Sequence, residues 1–229
     1  ANMTNQTVTS ATPQVVADLP PDTTPAAVTL ERVTKVFNDA AGVPPVLQDL
    51  SLRVGAGEFV CLLGASGCGK STLLNLVAGL DSPTTGQIEV PGGKTALMFQ
   101  ESALFPWLTA GKNIELALRL SGVPRAEWKG EIARLLDLVH LSGQENKRVH
   151  ELSGGMRQRV ALARALAQRA RVLLMDEPFA ALDAITRDVL HEELHRIWRE
   201  ADLTVIFVTH NVREAVRLGQ RVLLMSSRP

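Results

Sequence analysis

A glycine-rich loop between a predicted strand and a predicted helix constrains this chain more than any other feature. Residues 64–72 read GASGCGKST and fit the pattern G-x-x-x-x-G-K-[ST]. A nearly continuous apolar run at 57–63 precedes the loop, and residues 70–80 have a helical pattern that stops near Gly79. In such a loop the backbone N–H groups face one centre, and the N-terminus of the helix adds its positive end. The loop therefore predicts a site for nucleotide phosphates.

The side chains of this loop suggest how the phosphates are held. Lys70 is expected to reach the outer phosphates, and the hydroxyl of Ser71 is expected to bind Mg²⁺. The alternative is a glycine-rich turn with a chance Lys-Ser pair, but the loop has the strand-to-helix context that phosphate binding requires. The residues predicted to contact the nucleotide are Gly64, Ala65, Ser66, Gly67, Cys68, Gly69, Lys70, Ser71 and Thr72.

Apolar strands alternate with helical segments along most of the chain. Strands are predicted at 28–37, 46–54, 57–63, 87–90, 95–99, 171–176, 203–209 and 221–225, the fourth and fifth lying around a Pro-Gly-Gly turn. Helices are predicted at 70–80, 156–169, 184–200 and 211–218, and a helical subdomain at about 101–158. This alternation indicates a parallel sheet that is covered on both faces.

Polar residues stand where several of these strands end. Asp176 closes the apolar strand VLLMD, where a carboxylate can hold Mg²⁺ through water, and Glu177 follows it. His210 ends the strand VIFVTH, and Gln100 follows the strand ALMF. The carboxyl ends of parallel strands are where α/β sheets bind ligands. A solvated acidic turn and a locally satisfied histidine are the alternatives.

A second glycine-bearing run narrows the interpretation. Residues 152–159 read LSGGMRQR, with Ser153, Gly154 and Gly155 at the start of a predicted helix, which is another suitable anion site. A capped helix preceded by a flexible Gly-Gly pair is the alternative. An LSGGxxQR run between a phosphate loop and an acidic strand end resembles the signature of the ATP-binding-cassette (ABC) ATPases. The resemblance covers residues 28–229, which we expect to form one nucleotide-binding domain.

The resemblance implies a fold and a set of roles. The implied fold is α/β, a P-loop NTPase with a mainly parallel core sheet, an antiparallel β subdomain and an inserted helical subdomain. The implied ligands are ATP and Mg²⁺. Glu177 would polarise the attacking water, and His210 would contact the γ-phosphate. The catalytic residues would be Lys70, Gln100, Glu177 and His210, and the Mg²⁺ ligands would be Ser71, Gln100 and Asp176.

The resemblance also implies a homodimer that forms on ATP binding. Ser153, Gly154 and Gly155 of one copy would close the nucleotide held by the other. Asp183, in the segment ALD, resembles the residue that joins the two sites across such a dimer. Phe37 stands where the family has an aromatic residue that stacks on adenine, and a phenylalanine has the π-face for this. A core phenylalanine at a strand end is the alternative.

Composition limits the partners of the chain. Lys and Arg number 24 and Asp and Glu number 24, so no broad basic surface favours nucleic acid as a partner. No apolar run reaches the ~18 residues that span a bilayer, so a membrane role requires a partner protein. Residues 1–27 are polar and without Lys or Arg, which predicts an N-terminal arm rather than a signal peptide. Cys61 and Cys68 form neither a metal motif nor a disulfide framework, which indicates a reducing cytosol.

Two further stretches resemble the nitrate/sulfonate/taurine group of bacterial importer ATPases. Residues 100–113 read QESALFPWLTAGKN, and residues 221–229 read RVLLMSSRP. The resemblance implies a peripheral subunit at the cytoplasmic face of the inner membrane, which binds a polytopic permease and acts indirectly with an extracytoplasmic solute-binding protein. The solute would be a small anion such as nitrate, sulfonate, taurine or bicarbonate. The alternatives are an exporter or lipoprotein-release ATPase and a regulatory ABC switch without a transport role.

The apolar cluster LFPWL at 104–108 has two interpretations. Pro106 prevents a regular helix through these residues, so they cannot all face one helical core. Phe105 and Trp107 either pack inside the helical region or line a groove for a short helix of the membrane subunit.

Overall fold

The computed structural model describes residues 25–37 and 44–226. Most of the predicted N-terminal arm and the last three residues of the SSRP segment lie outside the described residues. The strands are β1 (Ala26–Lys35), β2 (Leu47–Gly55), β3 (Phe59–Gly64), β4 (Thr85–Glu89), β5 (Thr95–Met98), β6 (Val172–Asp176), β7 (Thr204–Thr209) and β8 (Arg221–Met225). The helices are α1 (Lys70–Val77), α2 (Ala110–Leu120), α3 (Trp128–Leu138), α4 (Gly154–Leu166), α5 (Ala184–Glu200) and α6 (Val212–Leu218).

Five parallel strands form the core sheet in the order β5-β6-β7-β3-β8. β7 is buried along its whole length, and β6 is buried up to its last residue. Such strands read as continuous apolar runs because helices or a second sheet cover both faces. The prediction of a parallel sheet covered on both faces is confirmed.

The second sheet is antiparallel, in the order β2-β1-β4. β4 and β5 were predicted around a Pro-Gly-Gly turn, and the structure places them in different sheets. Leu30 of β1 pairs with Ile88 of β4, whereas Thr95 of β5 pairs with Val172 of β6. The turn at 91–93 therefore carries the chain from the antiparallel sheet to the core sheet.

Alternate residues of β3 show how the two layers meet. Phe59 and Cys61 belong to one apolar core, together with residues of α2, α3, α4 and α5. Val60 and Leu62 point to the other core, together with α1 and the antiparallel sheet. Successive side chains of a strand face opposite sides of its sheet, so this one strand separates the two cores.

Caps define the ends of several helices. Gly79 has φ 69° directly after the C-cap of α1, and this left-handed conformation ends the helix at Val77 rather than near residue 80. Ser153 caps α4 by accepting a hydrogen bond from the Met156 N–H. The helix therefore begins at Gly154, two residues earlier than predicted. It ends at Leu166, so it extends beyond residue 158, where the helical subdomain was predicted to end. None of the helices within 25–37 and 44–226 has the length and apolarity needed to cross a membrane.

Replacement of Ile114 should show how strongly α2 depends on its buried face. Ile114 is fully buried, whereas Leu120 on the same helix is 77% exposed. We expect Ile114→Ala to lower the free energy of unfolding by roughly 2–5 kcal/mol, because the deletion leaves a cavity. Leu120→Ala is the matched control and should change it by about 0.5 kcal/mol or less. Urea denaturation measures both, and equal effects would contradict the assigned core.

Candidate functional site

The predicted site residues meet at one edge of the core sheet. Gln100 lies just beyond β5, Asp176 ends β6, His210 follows β7, and Gly64 ends β3. These four strands are neighbours in the sheet and run parallel. Their carboxyl ends therefore open on the same side, where ligands of α/β sheets bind.

The phosphate loop wraps around the ammonium group of Lys70. The Nζ atom of Lys70 donates hydrogen bonds of 2.8 Å to the carbonyl oxygens of Gly64 and Ala65, and the residue is only 5% exposed. Gly67 and Gly69 have φ 81° and 98°, in the left-handed region that favours glycine. Gly69 is the N-cap of α1, and no side chain of the described residues caps this helix. The first N–H groups of α1 are thus available to an anion.

Glu177 and His210 form a hydrogen-bonded pair across the ends of β6 and β7. His210 Nδ1 lies 2.8 Å from Glu177 Oε2. The Glu177 N–H donates to the carbonyl oxygen of Val208 at 3.1 Å, which extends the pairing of the two strands by one residue. Glu177 has φ 44°, a left-handed conformation that costs a non-glycine residue about 1–3 kcal/mol. This turn redirects the carboxylate from the sheet towards the histidine.

Side chains of α4 hold the backbone around Gln100 through hydrogen bonds. Gln158 Nε2 donates to the carbonyl oxygen of Gln100 at 2.9 Å. Arg164 donates to the carbonyl oxygens of Ser102 at 3.1 Å and Ala103 at 2.7 Å. Gln158 is 5% exposed, so this connection is inside the protein. The segment that begins at Gln100 is therefore fixed to the helix that begins within the signature run.

A cleft of about 620 Å³ joins these groups. Its lining comprises Val46, Ser66, Gly67, Gly69, Lys70, Ser71, Thr72, Gln100, Asp176, Glu177 and His210. The structure thus brings together six of the nine predicted phosphate-binding residues with the predicted metal-binding and catalytic residues, whereas Gly64, Ala65 and Cys68 do not line the cleft. Val46 is the one lining residue here that the sequence did not single out, since an apolar residue before a strand carries no chemical signal.

The signature residues lie apart from this cleft. Among the described residues that line it, none comes from the signature run at 152–159. A Cβ atom on Gly155 would lie 2.7 Å from Thr186 Cγ2, so the start of α4 packs closely on the start of α5. Asp183 caps α5 by accepting hydrogen bonds from the N–H of Thr186 at 3.0 Å and from its hydroxyl at 2.7 Å. These bonds lower the pKa of Asp183. The signature and Asp183 form a second group of predicted site residues.

Phe37 lies on the surface at the end of β1. It is 65% exposed, and Lys35 Nζ lies 4.9 Å from the centre of its ring. The exposure excludes the alternative that Phe37 fills a core. Phe37 does not line the cleft in the described part of the chain, and residues 38–43, which follow it, lie outside the described residues.

Comparison with known proteins decides the family. A profile of the family described as ABC transporter matches residues 47–180. The chain belongs to the ABC transporter family. It is an ABC-type ATPase with the P-loop NTPase fold, as the sequence predicted.

Several curated relatives of this ABC ATPase are named as import or transport ATP-binding proteins. The nitrate import ATP-binding protein NrtD of Synechocystis sp. is 46% identical, covering 86% of this chain and 77% of the relative. The bicarbonate transport ATP-binding protein CmpD of the same organism is 45% identical, covering 90% and 76%. The taurine import ATP-binding protein TauB of Burkholderia pseudomallei is 45% identical, covering 87% and 79%.

Solved structures of similar fold include ABC cassettes in dimeric form. The ATP-binding cassette MJ0796, in a dimeric post-hydrolysis state bound to ADP and Pi, is 32% identical to this ABC ATPase with a TM-score of 0.77. The match covers 88% of this chain and 97% of that chain. The same cassette in another dimeric structure matches with the same TM-score of 0.77 and 32% identity.

The cleft of the ABC ATPase offers oxygen atoms suited to Mg²⁺. Ser71, Gln100 and Asp176 all line it and present a hydroxyl, an amide oxygen and a carboxylate. Among the described residues, no group of three or more His, Cys, Asp or Glu side chains could hold a metal ion by itself. Mg²⁺ is commonly held by one or two carboxylates together with substrate phosphates. The donor set therefore fits a metal that binds with the nucleotide.

Sequence reasoning missed the residues that hold the segment after Gln100. Arg164 was not singled out, and Gln158 was noted only as a letter of the signature. Asn113 in α2 is fully buried, accepts a hydrogen bond from the Phe105 N–H at 2.9 Å and donates to the Thr109 carbonyl oxygen at 3.0 Å. An asparagine on an apolar helix face is a signal that could have revealed this one.

A substitution at Gly64 tests the close packing beneath the phosphate loop of the ABC ATPase. A Cβ atom at this position would lie 2.4 Å from the Met225 carbonyl oxygen and 2.7 Å from Cys68 Sγ. We expect Gly64→Ala to destabilise the fold by roughly 1–3 kcal/mol through overpacking and to weaken ATP binding. A fluorescent-nucleotide titration and urea denaturation measure these effects.

Gly130 provides the matched control, because it is exposed in α3 and a Cβ atom there meets nothing within 4 Å. Gly130→Ala should leave ATP binding unchanged and stabilise the protein by about 0.5–1 kcal/mol. An unchanged nucleotide affinity and an unchanged unfolding midpoint in Gly64→Ala would contradict the packing argument.

Proposed function

We propose that this chain is the ATP-hydrolysing subunit of an importer for a small anion and that it works as a dimer that closes on ATP. The observation that carries the proposal is the Glu177–His210 contact of 2.8 Å at the wall of the cleft that the phosphate loop lines. A carboxylate oriented by an imidazole beside a phosphate cradle suits phosphoryl transfer to water.

The geometry suggests a role for each group in the cleft. The N–H groups of the phosphate loop and of α1 cradle the β- and γ-phosphates, and Lys70 exchanges its carbonyl partners for phosphate oxygens. Glu177 orients the attacking water and takes up its proton as the water oxygen forms a bond to the γ-phosphorus. The bond between the γ-phosphorus and the bridging oxygen breaks, and ADP and phosphate leave. His210 contacts the γ-phosphate and holds the Glu177 carboxylate in place.

Ser71, Gln100 and Asp176 would hold Mg²⁺. When bound, Mg²⁺ neutralises charge on the phosphate oxygens.

Two copies of the chain are needed because each copy has two phosphate-binding segments in separate places. Ser153, Gly154 and Gly155 stand at the N-terminus of α4 but do not line the cleft of their own chain. In the proposed dimer they close the cleft of the other copy, with Asp183 nearby. The dimeric form of the cassette MJ0796 supports this arrangement.

The import role and the type of solute rest on the relatives and on an exposed aromatic pair. Relatives about 45% identical are named as nitrate import, bicarbonate transport and taurine import ATP-binding proteins, which suggests a small anion. Trp107 is 71% exposed and Phe105 is 36% exposed, with ring centres 5.5 Å apart. This pair follows Gln100 in a segment that is hydrogen-bonded by Arg164 at the Ala103 carbonyl oxygen and by Asn113 at the Phe105 N–H. We propose that it contacts a short helix of a polytopic permease at the cytoplasmic face of the membrane, with an extracytoplasmic binding protein delivering the solute.

Replacing Glu177 should separate ATP binding from hydrolysis. We expect Glu177→Gln to bind ATP and to lower the turnover number by about 10²–10⁴-fold, because the amide cannot act as the base. The variant should also accumulate as a dimer with ATP, since product does not form. Lys70→Ala is the contrasting variant and should weaken ATP binding itself. Steady-state ATPase assays and sedimentation with and without ATP measure these effects. A near-normal ATPase rate in Glu177→Gln would refute the catalytic role of Glu177. An equal monomer fraction of this variant with and without ATP would refute the ATP-dependent dimer.

Replacing the exposed aromatic pair should uncouple the ATPase from the permease. We expect Trp107→Ala to keep the fold and the basal ATPase rate while weakening permease binding by about 2 kcal/mol, as for an interface anchor. Phe105→Ala, made separately, should act in the same direction. Leu80→Ala, at an apolar residue that is 64% exposed elsewhere, is the control. Co-purification with the permease and uptake in vesicles are the measurements. Intact complex formation and transport in both aromatic variants would place the groove elsewhere.

A further inference from the structure

A buried hydroxyl holds both sides of the turn that carries His210. Thr209 is 2% exposed, and its Oγ1 donates a hydrogen bond of 2.5 Å to Glu214 Oε2. The same oxygen accepts a hydrogen bond of 3.0 Å from the N–H of Asn211. His210 lies between these two residues. The backbone of the turn is therefore set by the position of one hydroxyl, and that position is set by Glu214.

The Glu214 carboxylate is held from α5. Its Oε1 lies 3.5 Å from His191 Nε2 and 3.7 Å from Arg187 Nε, and its side chain is 12% exposed. Burial acts to raise the pKa of Glu214. The neighbouring His191 side chain, the hydrogen bond from Thr209 and the guanidinium of Arg187 outweigh burial and lower the pKa. Glu214 is thus a charged and nearly enclosed group that two helices share.

Arg187 extends this connection to the segment that carries Asp183. Its Nη2 donates a hydrogen bond of 2.7 Å to the Leu182 carbonyl oxygen, one residue before Asp183. His191, in the following turn of α5, is 2% exposed and packs against the rings of Phe179 and Phe207, at 5.6 and 6.5 Å between centres. One carboxylate therefore connects the His210 turn with the segment next to the signature.

A cavity of about 80 Å³ joins this cluster to the Glu177–His210 pair. Its lining comprises Glu177, Ala180, Arg187, Thr209, His210, Asn211 and Glu214. The His210 side chain is 63% exposed, so packing holds its ring weakly. The distance from His210 to Glu177 thus depends on the backbone of the turn.

We propose that Glu214 is a positioning residue for ATP hydrolysis, acting through Thr209 and Arg187 to fix the His210 turn relative to the segment that carries Asp183. This inference rests on the proposed roles of Glu177 and His210. Glu214 does not line the nucleotide cleft, so its effect is exerted on turnover and not on nucleotide binding.

Thr209 allows a test with a conservative pair of variants on the purified full chain. Thr209→Val keeps the shape of the side chain and removes the hydroxyl, whereas Thr209→Ser keeps the hydroxyl. We expect Thr209→Val to lower kcat by roughly tenfold to a hundredfold, the scale of a misplaced catalytic group. KM for ATP should stay within about twofold, as for an interaction that serves only the chemical step. Thr209→Ser should restore most of kcat.

Glu214→Gln gives an independent measurement. Its amide oxygen can still accept from Thr209, but the charge that faces Arg187 and His191 is lost. We expect kcat to fall between those of Thr209→Ser and Thr209→Val. Glu58→Gln is the matched control, because Glu58 is a nearly buried carboxylate, 2.7 Å from Arg221, at the opposite end of β3. It should lower the unfolding midpoint without changing kcat.

Combination with His210→Ala separates this inference from the proposed function. If the assignment of His210 is correct, His210→Ala alone lowers kcat, and adding Thr209→Val lowers it no further. Full activity in His210→Ala would refute the proposed role of His210. Suppose that His210→Ala causes a large loss of kcat. Wild-type kcat in Thr209→Val, or fully additive losses in the double variant, would then refute the positioning role of Glu214 and leave the proposed role of His210 intact. Equal losses of kcat in Glu58→Gln and Glu214→Gln would also refute it.

Discussion

Parallel pairing of β5, β6, β7 and β3 is the constraint on which the rest of the structure depends. Because the four strands run the same way, Gln100, Asp176, His210 and the phosphate loop emerge at one edge. These residues come from distant parts of the chain, and the parallel pairing of the strands is what brings them together. The apolar side chains of the strands give the sheet two buried faces, which fix the position of that edge.

Hydrogen bonds from α4 to backbone carbonyl groups hold the segment that runs from the cleft to the surface. Gln158 and Arg164 donate to the carbonyl oxygens of Gln100, Ser102 and Ala103, so α4 carries the segment between the cleft and the exposed aromatic pair. These hydrogen bonds attach the segment to α4. Since α4 begins with the signature glycines, in the proposed dimer the same helix would transmit closure to Gln100 and to the proposed permease contact.

The other side of the cleft has an equivalent connection through side chains. Thr209 and Glu214 hold the His210 turn, and Arg187 joins Glu214 to the Leu182 carbonyl oxygen. The two predicted groups of site residues, one in the cleft and one around Asp183, are thus linked inside a single chain. In the proposed dimer, this arrangement would let a contact at the interface alter the geometry of the Glu177–His210 pair.

The sequence by itself determined the features that depend on local chemistry. The phosphate loop, the acidic end of β6 and the signature were recognisable from residue types at fixed spacings. Apolar periodicity located the strands and the helices α1, α4, α5 and α6 to within a few residues, whereas α2 and α3 were predicted only as parts of a helical subdomain at about 101–158. Neither residue spacing nor apolar periodicity predicted which segment packs against which. Only the tertiary structure decided that β4 and β5 join different sheets, that His210 contacts Glu177, and that Gln158 fastens Gln100. These outcomes depend on the order of strands in the sheet and on the packing of α4 and α5 against it, and a periodic pattern encodes which face of a segment is buried but not which segment will cover it.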